Sequence, residues 1–515
     1  MSLISGFISY FDNISRNIFT DLDLKGHQNL LFNSYEFIFI FLPVTFFIYF
    51  YLNKKRLTEA GKGFLVFASL FFYSWWNIAY LPLILVSMLF NYVAGKQLSE
   101  YKQKRKCCSK KTLLVVGIAA NLGLLGYFKY SDFFIANFNT VFGSDISLLH
   151  LALPLAISFY TFQQIAYLVD SYRGETKEYD FLNYAVFVTF FPQLIAGPIV
   201  HHAEMMPQFA KMRNKVRNYH NIALGLFIFS VGLFKKVVIA DTFAVWATNG
   251  FDIADKLNML EAWTTSLSYT FQLYFDFSGY TDMAIGIALL FNITLPINFN
   301  SPYKSLSIQD FWHRWHMTLS RFLKDYVYIP LGGNRKGEAR TYFNLFVTFL
   351  LGGIWHGAGW TFVLWGALHG VALMLHRLWN KLGFKMSAPL AWFITFNFVN
   401  MTWVFFRAKE FDDALKVLDG MFFGTIMLPA ALANKLAFLG EYGVEFGKVL
   451  SAVGATLYTP VWLVFGFILT LLFKNSLQQI NSLRISAFSV CFSAILFIAA
   501  VLSMNKISEF LYFNF

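Results

Sequence analysis

Long apolar runs separated by short polar loops dominate the chain. A helix needs about 20 apolar residues to cross a bilayer. Runs that approach this length lie near 36–52, 64–77, 78–96, 112–129, 150–168, 181–200, 221–240, 262–275, 279–295, 342–356, 359–378, 389–406, 458–474 and 485–503. Several runs are too short to cross straight, so the pattern predicts an all-α polytopic membrane protein with about eleven transmembrane helices.

Two of these runs contain helix-breaking residues. Phe191–Pro192 and Gly197–Pro198 interrupt one run, and Phe277–Ser278–Gly279 interrupts another. Broken backbone at membrane depth is tolerated only where it is buried in protein or lines a cavity. We therefore expect re-entrant or unwound pieces around a central tunnel. Asp276 and Asp282 bracket the second break, where they are expected to cap a broken helix or to orient an imidazole.

The domain organisation follows from the same pattern. Residues 1–35 are mixed in polarity and form a predicted extramembrane or interfacial segment, whereas 36–515 form one transmembrane domain. The stretch 407–457 mixes charged with apolar residues at helical spacing, which predicts amphipathic helices at the membrane interface. A docking surface is the alternative for that stretch.

Composition and charge indicate that most of the chain lies in lipid and not in water. Only 14% of the residues are charged, against about 25% in soluble domains. The 41 basic residues exceed the 29 acidic ones, and the excess is clustered in the short loops 54–62, 102–111, 211–217 and 314–340. Such loops are retained on the cytoplasmic side. A nucleic-acid partner is not expected, because it would need these charges on one continuous solvated face.

The candidate chemistry rests on histidine, since the three cysteines have no spacing that suggests a metal site or disulfides. His356 ends an apolar run in Gly352–Gly359, and an ionisable group at membrane depth is a functional-site hypothesis. The alternative is a hydrogen bond between two packed helices, which the small residues Gly353 and Gly357 also favour. Both interpretations stay open for His356. For His369, which lies mid-segment, the structural one is favoured.

The segment Gln309 to Tyr328 reads as one amphipathic helix. Its apolar face carries Trp312, Trp315, Leu319, Phe322, Leu323 and Tyr326, and the opposite face carries Asp310, Arg314, Thr318, Arg321 and Asp325. The spacing predicts ion pairs between Asp310 and Arg314 and between Arg321 and Asp325. His316 falls within the apolar stripe, where an imidazole is either functional or a satisfied core group.

The sequence resembles the membrane-bound O-acyltransferase family, in its bacterial branch that contains the alginate O-acetyltransferase membrane subunit. The likeness covers most of residues 36–406 and is densest in a signature region at 270–375. The segments that carry it are Ser158–Phe162, Ala196–Ile199, Phe275–Met283, Pro296–Phe299, Pro302–Tyr303, Asp310–His316, Asp325–Arg335, Trp355–Trp360 and His369–Gly370.

The resemblance implies a helical bundle around a funnel or tunnel, with His356 as the catalytic histidine and His316 as a second functional histidine. It also implies a location in the bacterial cytoplasmic (inner) membrane and an extracytoplasmic acyltransferase as partner. The protein would pass an acyl group, most often acetyl, from a cytoplasmic donor to a polysaccharide such as alginate. No cofactor is expected to stay bound, and the donor is expected to be acetyl-CoA. Candidate donor-binding residues are Arg314, Arg321 and Arg335.

Other functions remain as alternatives. D-alanyl transfer to teichoic acid shares the histidine motifs and ranks second, because Ile329–Arg335 looks like the alginate branch. A transporter whose broken helices bind substrate at the midplane is a different class, but such proteins often contain internal repeats, and none stands out. A scaffold subunit of a polymer-export complex is the third alternative.

Overall fold

The computed structural model describes residues 30–101, 109–176, 180–195, 197–456, 458–504 and 510–511. Most of the predicted N-terminal segment 1–35, the greater part of the basic loop 102–111 and both Cys107 and Cys108 lie outside the described residues.

Helices make up most of the described chain. The α-helices are α1 Leu42–Lys54, α2 Thr58–Trp76, α3 Leu81–Ser99, α4 Lys110–Phe142, α5 Ile157–Arg173, α6 Phe181–Thr189, α7 Phe191–Leu194, α8 His202–Ala210, α9 Tyr219–Phe234, α10 Asp241–Thr248, α11 Met259–Leu290, α12 Ile308–Arg314, α13 Met317–Leu323, α14 Glu338–His356, α15 Trp360–Lys381, α16 Ala388–Arg407, α17 Phe411–Phe423, α18 Thr459–Leu471, α19 Ser476–Ser482 and α20 Ala487–Ser503. π-helical turns occur at Phe37–Phe41, Lys235–Ala240, Asn249–Ile253 and Lys324–Tyr328. Short 3₁₀ turns occur at Ile78–Tyr80, Met212–Lys215, Pro302–Lys304, Ala430–Leu432 and Ala437–Tyr442.

Six helices in the described part of the chain are long and apolar enough to cross a membrane, which confirms the prediction of an all-α polytopic membrane protein. They are Phe37–Lys54, Ile78–Ser99, Lys110–Phe142, Tyr219–Ile253, Trp360–Lys381 and Ala388–Arg407. The predicted number of about eleven spans stays a prediction, because several other apolar helices are shorter or more polar.

The predicted break at Phe277–Ser278–Gly279 is wrong. Helix α11 runs unbroken for 32 residues and is buried along nearly its whole length. Gly279 serves close helix packing, since an added Cβ would lie 2.8 Å from the carbonyl oxygen of Gly232 in α9. The glycine-rich pattern therefore marks the contact of α9 with α11.

The two aspartates in α11 consequently have no broken helix end to cap. The Asp276 carboxylate lies 2.6 Å from the Lys236 Nζ, and the Asp282 carboxylate lies 2.7 Å from the Lys235 Nζ. Both lysines lie in the π-helical turn that follows α9. A charge in a protein interior needs such pairing, because an unpaired one is costly to bury.

The predicted break in the 181–200 segment is confirmed. Helix α6 ends at Thr189, α7 is only four residues long, and none of the described residues from Ile195 to His201 is helical. Polar partners from other elements satisfy part of this backbone. The Phe191 N–H donates to the Ser69 hydroxyl at 3.1 Å, and the Ile199 N–H donates to the Thr318 hydroxyl at 3.1 Å.

Among the described residues of the stretch 407–457, α-helix occurs only at the start, and the two 3₁₀ turns follow later. The predicted amphipathic helix is present as α17, whose outward side exposes Leu415 and Phe423. Beyond it, the structure has the strands β1 Ile426–Pro429 and β2 Val444–Gly447, which pair in parallel. Helical spacing predicted the wrong elements here because Pro429 and the left-handed Gly443 (φ 81°) interrupt helix formation.

Contacts with the end of α5 and the start of α6 place three of the four basic clusters near one another. The Lys62 ammonium donates to the Asn183 side chain, and the Lys110 ammonium donates to the Tyr172 carbonyl. The Arg173 guanidinium lies over the Tyr326 ring at 5.6 Å. Clusters that are far apart in sequence are therefore neighbours in the structure, as a single cytoplasmic side requires.

Candidate active site

The backbone around His316 departs from a helix. The predicted single helix over 309–328 is wrong, because α12 ends at Arg314, His316 adopts φ 42° and α13 begins at Met317. The neighbouring chain takes over the lost helical hydrogen bonds. The Met317 N–H donates to the Asn298 carbonyl and the Asn300 N–H donates to the Arg314 carbonyl, each at 2.9 Å.

The His316 imidazole is fully buried and fixed through a ring nitrogen. Its Nδ1 lies 3.0 Å from the Asn298 Oδ1, which also accepts a hydrogen bond from the Thr318 hydroxyl at 2.9 Å. The Phe277 ring of α11 meets the imidazole edge-on at 4.8 Å. The Thr318 hydroxyl also accepts a hydrogen bond from the Ile199 N–H, so the irregular segment at Ile199 is linked to the network that holds this histidine.

The break also rearranges the charged face. The predicted pair of Asp310 and Arg314 is present at 2.7 Å. The predicted pair of Arg321 and Asp325 is wrong, since Arg321 makes a two-pronged contact with Glu204 at 2.6 and 3.0 Å. The wider π-helical turn that starts at Lys324 alters the four-residue register on which that prediction rested. The third candidate for donor binding, Arg335, is exposed in the turn before α14.

His356 is the last residue of α14, and its side chain is only 3% exposed. Aromatic rings surround the imidazole at centroid distances of 4.9 Å for Trp355, 5.1 Å for Trp365 and 5.1 Å for Phe406. The helix carrying it packs closely on α15, because a Cβ on Gly353 would lie 2.8 Å from the Gly366 Cα. The close packing that the glycine spacing predicted is therefore present beside this histidine.

Two side chains that sequence reasoning missed hold the end of α14. The Tyr130 hydroxyl donates to the Ile354 carbonyl at 2.6 Å. The Lys129 ammonium donates to the Trp355 carbonyl at 2.6 Å and to the His356 carbonyl at 3.0 Å. The signal was available, because Lys129 is an ionisable residue in an apolar segment, the same criterion that selected His356.

The structure gives His369 a packing role, as the sequence favoured. Its Nδ1 accepts a hydrogen bond from the Trp312 indole at 3.2 Å, and its Nε2 lies 3.1 Å from the Thr402 hydroxyl. Both ring nitrogens thus serve contacts between helices. His369 lies in the same aromatic cluster as Trp365 and contacts that ring at 4.8 Å.

The His316 and His356 imidazoles occupy one region of the interior. They are close enough to interact electrostatically. A cavity of about 540 Å³ adjoins this region and is lined by Asn298, the residue that binds the His316 ring, but by neither imidazole. Within the described ranges, no group of three histidine, cysteine or acidic side chains is placed to hold a metal ion.

This arrangement supplies the elements of acid–base chemistry away from water. A neutral imidazole accepts a proton from a hydroxyl nucleophile, and a fixed polar neighbour orients the imidazole. Exclusion of water matters for an activated acyl group, because water would compete with the acceptor. Fold and site together define a polytopic membrane protein with a buried pair of histidines suited to group transfer.

Comparison with known proteins identifies the class further. The family model for MBOAT, the membrane-bound O-acyltransferase family, matches residues 170–409, which include both histidines. The chain is 51% identical to a peptidoglycan O-acetyltransferase of Helicobacter pylori over 94% of this chain and 98% of that protein. The chain belongs to the membrane-bound O-acyltransferase family and is an acyltransferase.

Two further relatives separate the branches. A probable alginate O-acetylase of Pseudomonas aeruginosa is 42% identical over 78% of this chain and 76% of its own length. A teichoic acid D-alanyltransferase of Bacillus subtilis is 28% identical over 50% of this chain and 69% of its own length. The resemblance to the bacterial branch with the alginate enzymes is therefore confirmed, and the D-alanyl branch is more distant.

Proposed function

We propose that this protein O-acetylates a cell-envelope polysaccharide outside the bacterial cytoplasmic membrane, and that peptidoglycan is the acceptor. The order of the relatives supports this choice, because 51% identity over nearly both full lengths exceeds the 42% identity to the alginate relative. Alginate, the example in the sequence-based prediction, becomes the second candidate acceptor.

The observation that carries the catalytic assignment is the burial of two imidazoles in the family-matched region, each where a helix breaks or ends. His316 is 0% exposed and His356 is 3% exposed. Burying an ionisable ring is costly, so a buried imidazole at such a position usually has either a functional role or a structural contact. His369 illustrates the structural case, since both of its ring nitrogens have helix-linking partners.

In the proposed reaction, His356 is the general base and His316 assists or orients. An acceptor hydroxyl gives its proton to the His356 imidazole while its oxygen forms a bond to the acyl carbon of a thioester. The carbon–sulfur bond then breaks, and the departing thiolate takes the proton back from the imidazolium. The donor of this scheme is acetyl-CoA, and no bound cofactor takes part.

The donor is proposed to enter from the cytoplasmic side. The proximity of three of the four basic clusters supports this orientation. A polymer would not reach a side chain that is only 3% exposed, so the hydroxyl that reacts at His356 is proposed to belong to an extracytoplasmic acyltransferase, the partner that carries the acetyl group onward to the glycan. The proposal also needs a passage to His356. The tunnel implied by the family resemblance stays a prediction, because the cavity of about 540 Å³ beside Asn298 is lined by neither imidazole.

The test replaces His356 with alanine in the full-length protein within its native membrane. Loss of a general base lowers the rate by about 10²- to 10⁴-fold, so we expect base-releasable acetate on purified peptidoglycan to disappear. The amount of protein in the membrane should be unchanged. The matched control is His313→Ala, which removes an exposed histidine only three residues from His316 and should leave acetylation intact.

The acceptor is decided by the same strains. Acetate lost from peptidoglycan supports the proposal, whereas acetate lost only from a secreted polysaccharide supports the alginate-type alternative. Normal acetylation in His356→Ala would overturn the catalytic role. Loss of polymer-bound D-alanine with unchanged acetate would show that the protein transfers D-alanyl groups and not acetyl groups.

A further inference from the structure

The most lipid-exposed of the long apolar helices carries a charged residue that points into the protein. Only 17% of the apolar window of α4 is buried. Lys129 of this helix nevertheless contacts three oxygens from two other elements. Its Nζ lies 2.6 Å from the Trp355 carbonyl, 3.0 Å from the His356 carbonyl and 3.3 Å from the Ser158 hydroxyl. Packing of α4 against lipid would need no such residue.

The physical chemistry of this contact favours an ammonium. The last four carbonyls of a helix lack partners within the helix and carry its negative partial charge. Nζ offers three N–H donors, and three acceptor oxygens surround it. A lysine at bilayer depth is expensive unless it is satisfied in this way.

The contact also links three helices, α4, α5 and α14, at one site. Ser158 lies in the first turn of α5, whose Phe162 ring stacks on Trp355 at 4.9 Å and 17°. Trp355 precedes His356, and the Lys129 Nζ lies 5.8 Å from the Trp355 ring centroid. Lys129 therefore contacts the carbonyls of Trp355 and His356, the last two residues of α14, and also the Trp355 ring.

We propose that Lys129 is a positioning residue for His356. It fixes the final turn of α14. Burial is the main reason why the His356 imidazole stays in the neutral form that accepts a proton, and the charge of protonated Lys129 adds to this effect. This inference rests on the proposed role of His356 as the base. In this role Lys129 acts through the end of α14 and does not touch the substrate.

Among the groups around His356, Lys129 is the one that supplies a positive charge when it is protonated. The titratable side chains that interact with the imidazole are Lys129 from α4, His316 from the α12–α13 break and His369 from α15. Helices α15 and α16 face it with the rings of Trp365 and Phe406. Removing the ammonium therefore changes the local charge more than any other single substitution among these neighbours.

The test uses three variants of Lys129 in the full-length membrane protein. Lys129→Met removes the charge and the donors, Lys129→Gln keeps donors without charge, and Lys129→Arg keeps both. We expect acetyl transfer to fall about 10- to 100-fold in Lys129→Met, the loss typical of a misplaced reacting group. Partial activity is expected for Lys129→Gln, and recovery to within a few-fold of wild type for Lys129→Arg.

The pH profile separates positioning from simple structural support. Without the ammonium, the imidazole is protonated more readily, so the acid-side loss of activity should begin at higher pH in Lys129→Met and Lys129→Gln. The matched control is Tyr130→Phe, which removes a neutral hydrogen bond from the same helix end. It should lower activity slightly with no shift of the profile.

The outcomes are distinct. Equal activity and an unshifted profile in Lys129→Met would overturn the positioning role while leaving the proposed function intact. Equal losses in Lys129→Met and Tyr130→Phe with one common profile would reduce Lys129 to a structural cap. If Lys129→Met does not accumulate in the membrane, the shift in Lys129→Gln decides the question. Full activity in His356→Ala would instead defeat the proposed function itself.

Discussion

The two buried histidines are held by different physical means. His316 is fixed through its ring nitrogen by Asn298, in a network that includes the Thr318 hydroxyl and the Ile199 N–H. His356 is fixed by surrounding rings and through its backbone carbonyl, which Lys129 binds. The difference indicates a division of labour. The hydrogen bond to Asn298 orients the His316 ring, whereas three aromatic rings and a backbone contact set the position of His356.

The largest effect is expected where close backbone packing supports His356. Gly353→Leu would drive a side chain into α15 at Gly366 and into the carbonyl oxygen of Phe362. Overpacking of this kind costs about 1–3 kcal/mol or more. We expect a lower midpoint of thermal unfolding in detergent and little acetyl transfer.

The control for that substitution lies on α4. Gly123→Leu adds the same side chain where a Cβ would meet nothing within 4 Å, and it should leave the unfolding midpoint nearly unchanged. Equal midpoints for the two variants would mean that α14 and α15 do not need their close approach.

An intermediate effect is expected in the network around His316. Asn298→Leu removes an oxygen that binds both His316 and Thr318, and buried groups left without partners cost about 1–3 kcal/mol. Combined with Thr318→Val, the loss in unfolding free energy should be less than the sum of the single losses, by about 0.5 kcal/mol or more.

The control for this double-mutant comparison combines Asn298→Leu with Asn380→Leu. Asn380 lies exposed near the end of α15, where its amide contacts His376. The two losses should add, since the sites share no partner. Additivity in the Asn298 and Thr318 pair would contradict a shared network around the His316 ring.

The smallest effect is expected at the edge of this region. Arg321 was a sequence-based candidate for donor binding, but it makes an exposed pair with Glu204, and such pairs contribute about 0–1 kcal/mol. Arg321→Gln should change the unfolding midpoint little and leave the KM for the acyl donor unchanged. A large rise in that KM, not restored by the exchange Arg321→Glu with Glu204→Arg, would support the donor-binding assignment.

Features set by local composition were predictable from the sequence. The apolar runs, the clustered basic loops and the break at Phe191–Pro192 depend on solvent preference and on proline, which act within a few residues. The pair of Asp310 and Arg314 was also correct, because it lies within one turn of a real helix. His316 and His356 could be selected as candidates because ionisable residues are rare at membrane depth.

Features that depend on a distant segment were not predictable in this way. Ser278–Gly279 looked like a break, yet the glycine packs against Gly232 within a continuous helix. The apolar stripe of 309–328 looked continuous, yet Asn298 and Asn300 satisfy a broken backbone there. In each case the same residues fit two local structures, and the choice depends on what packs against them.

The sequence by itself determined that the chain is a membrane protein, that its basic residues cluster in short loops, and which histidines are candidates. Hydrophobicity and charge indicate these features without reference to the fold. Only the tertiary structure decided which helices are broken, which lysine reaches the end of α14 and how each imidazole is held. Those features require groups from separate segments to meet at hydrogen-bonding distance, as the Lys129 side chain of α4 meets the His356 carbonyl of α14. Spacing along the chain does not specify such meetings.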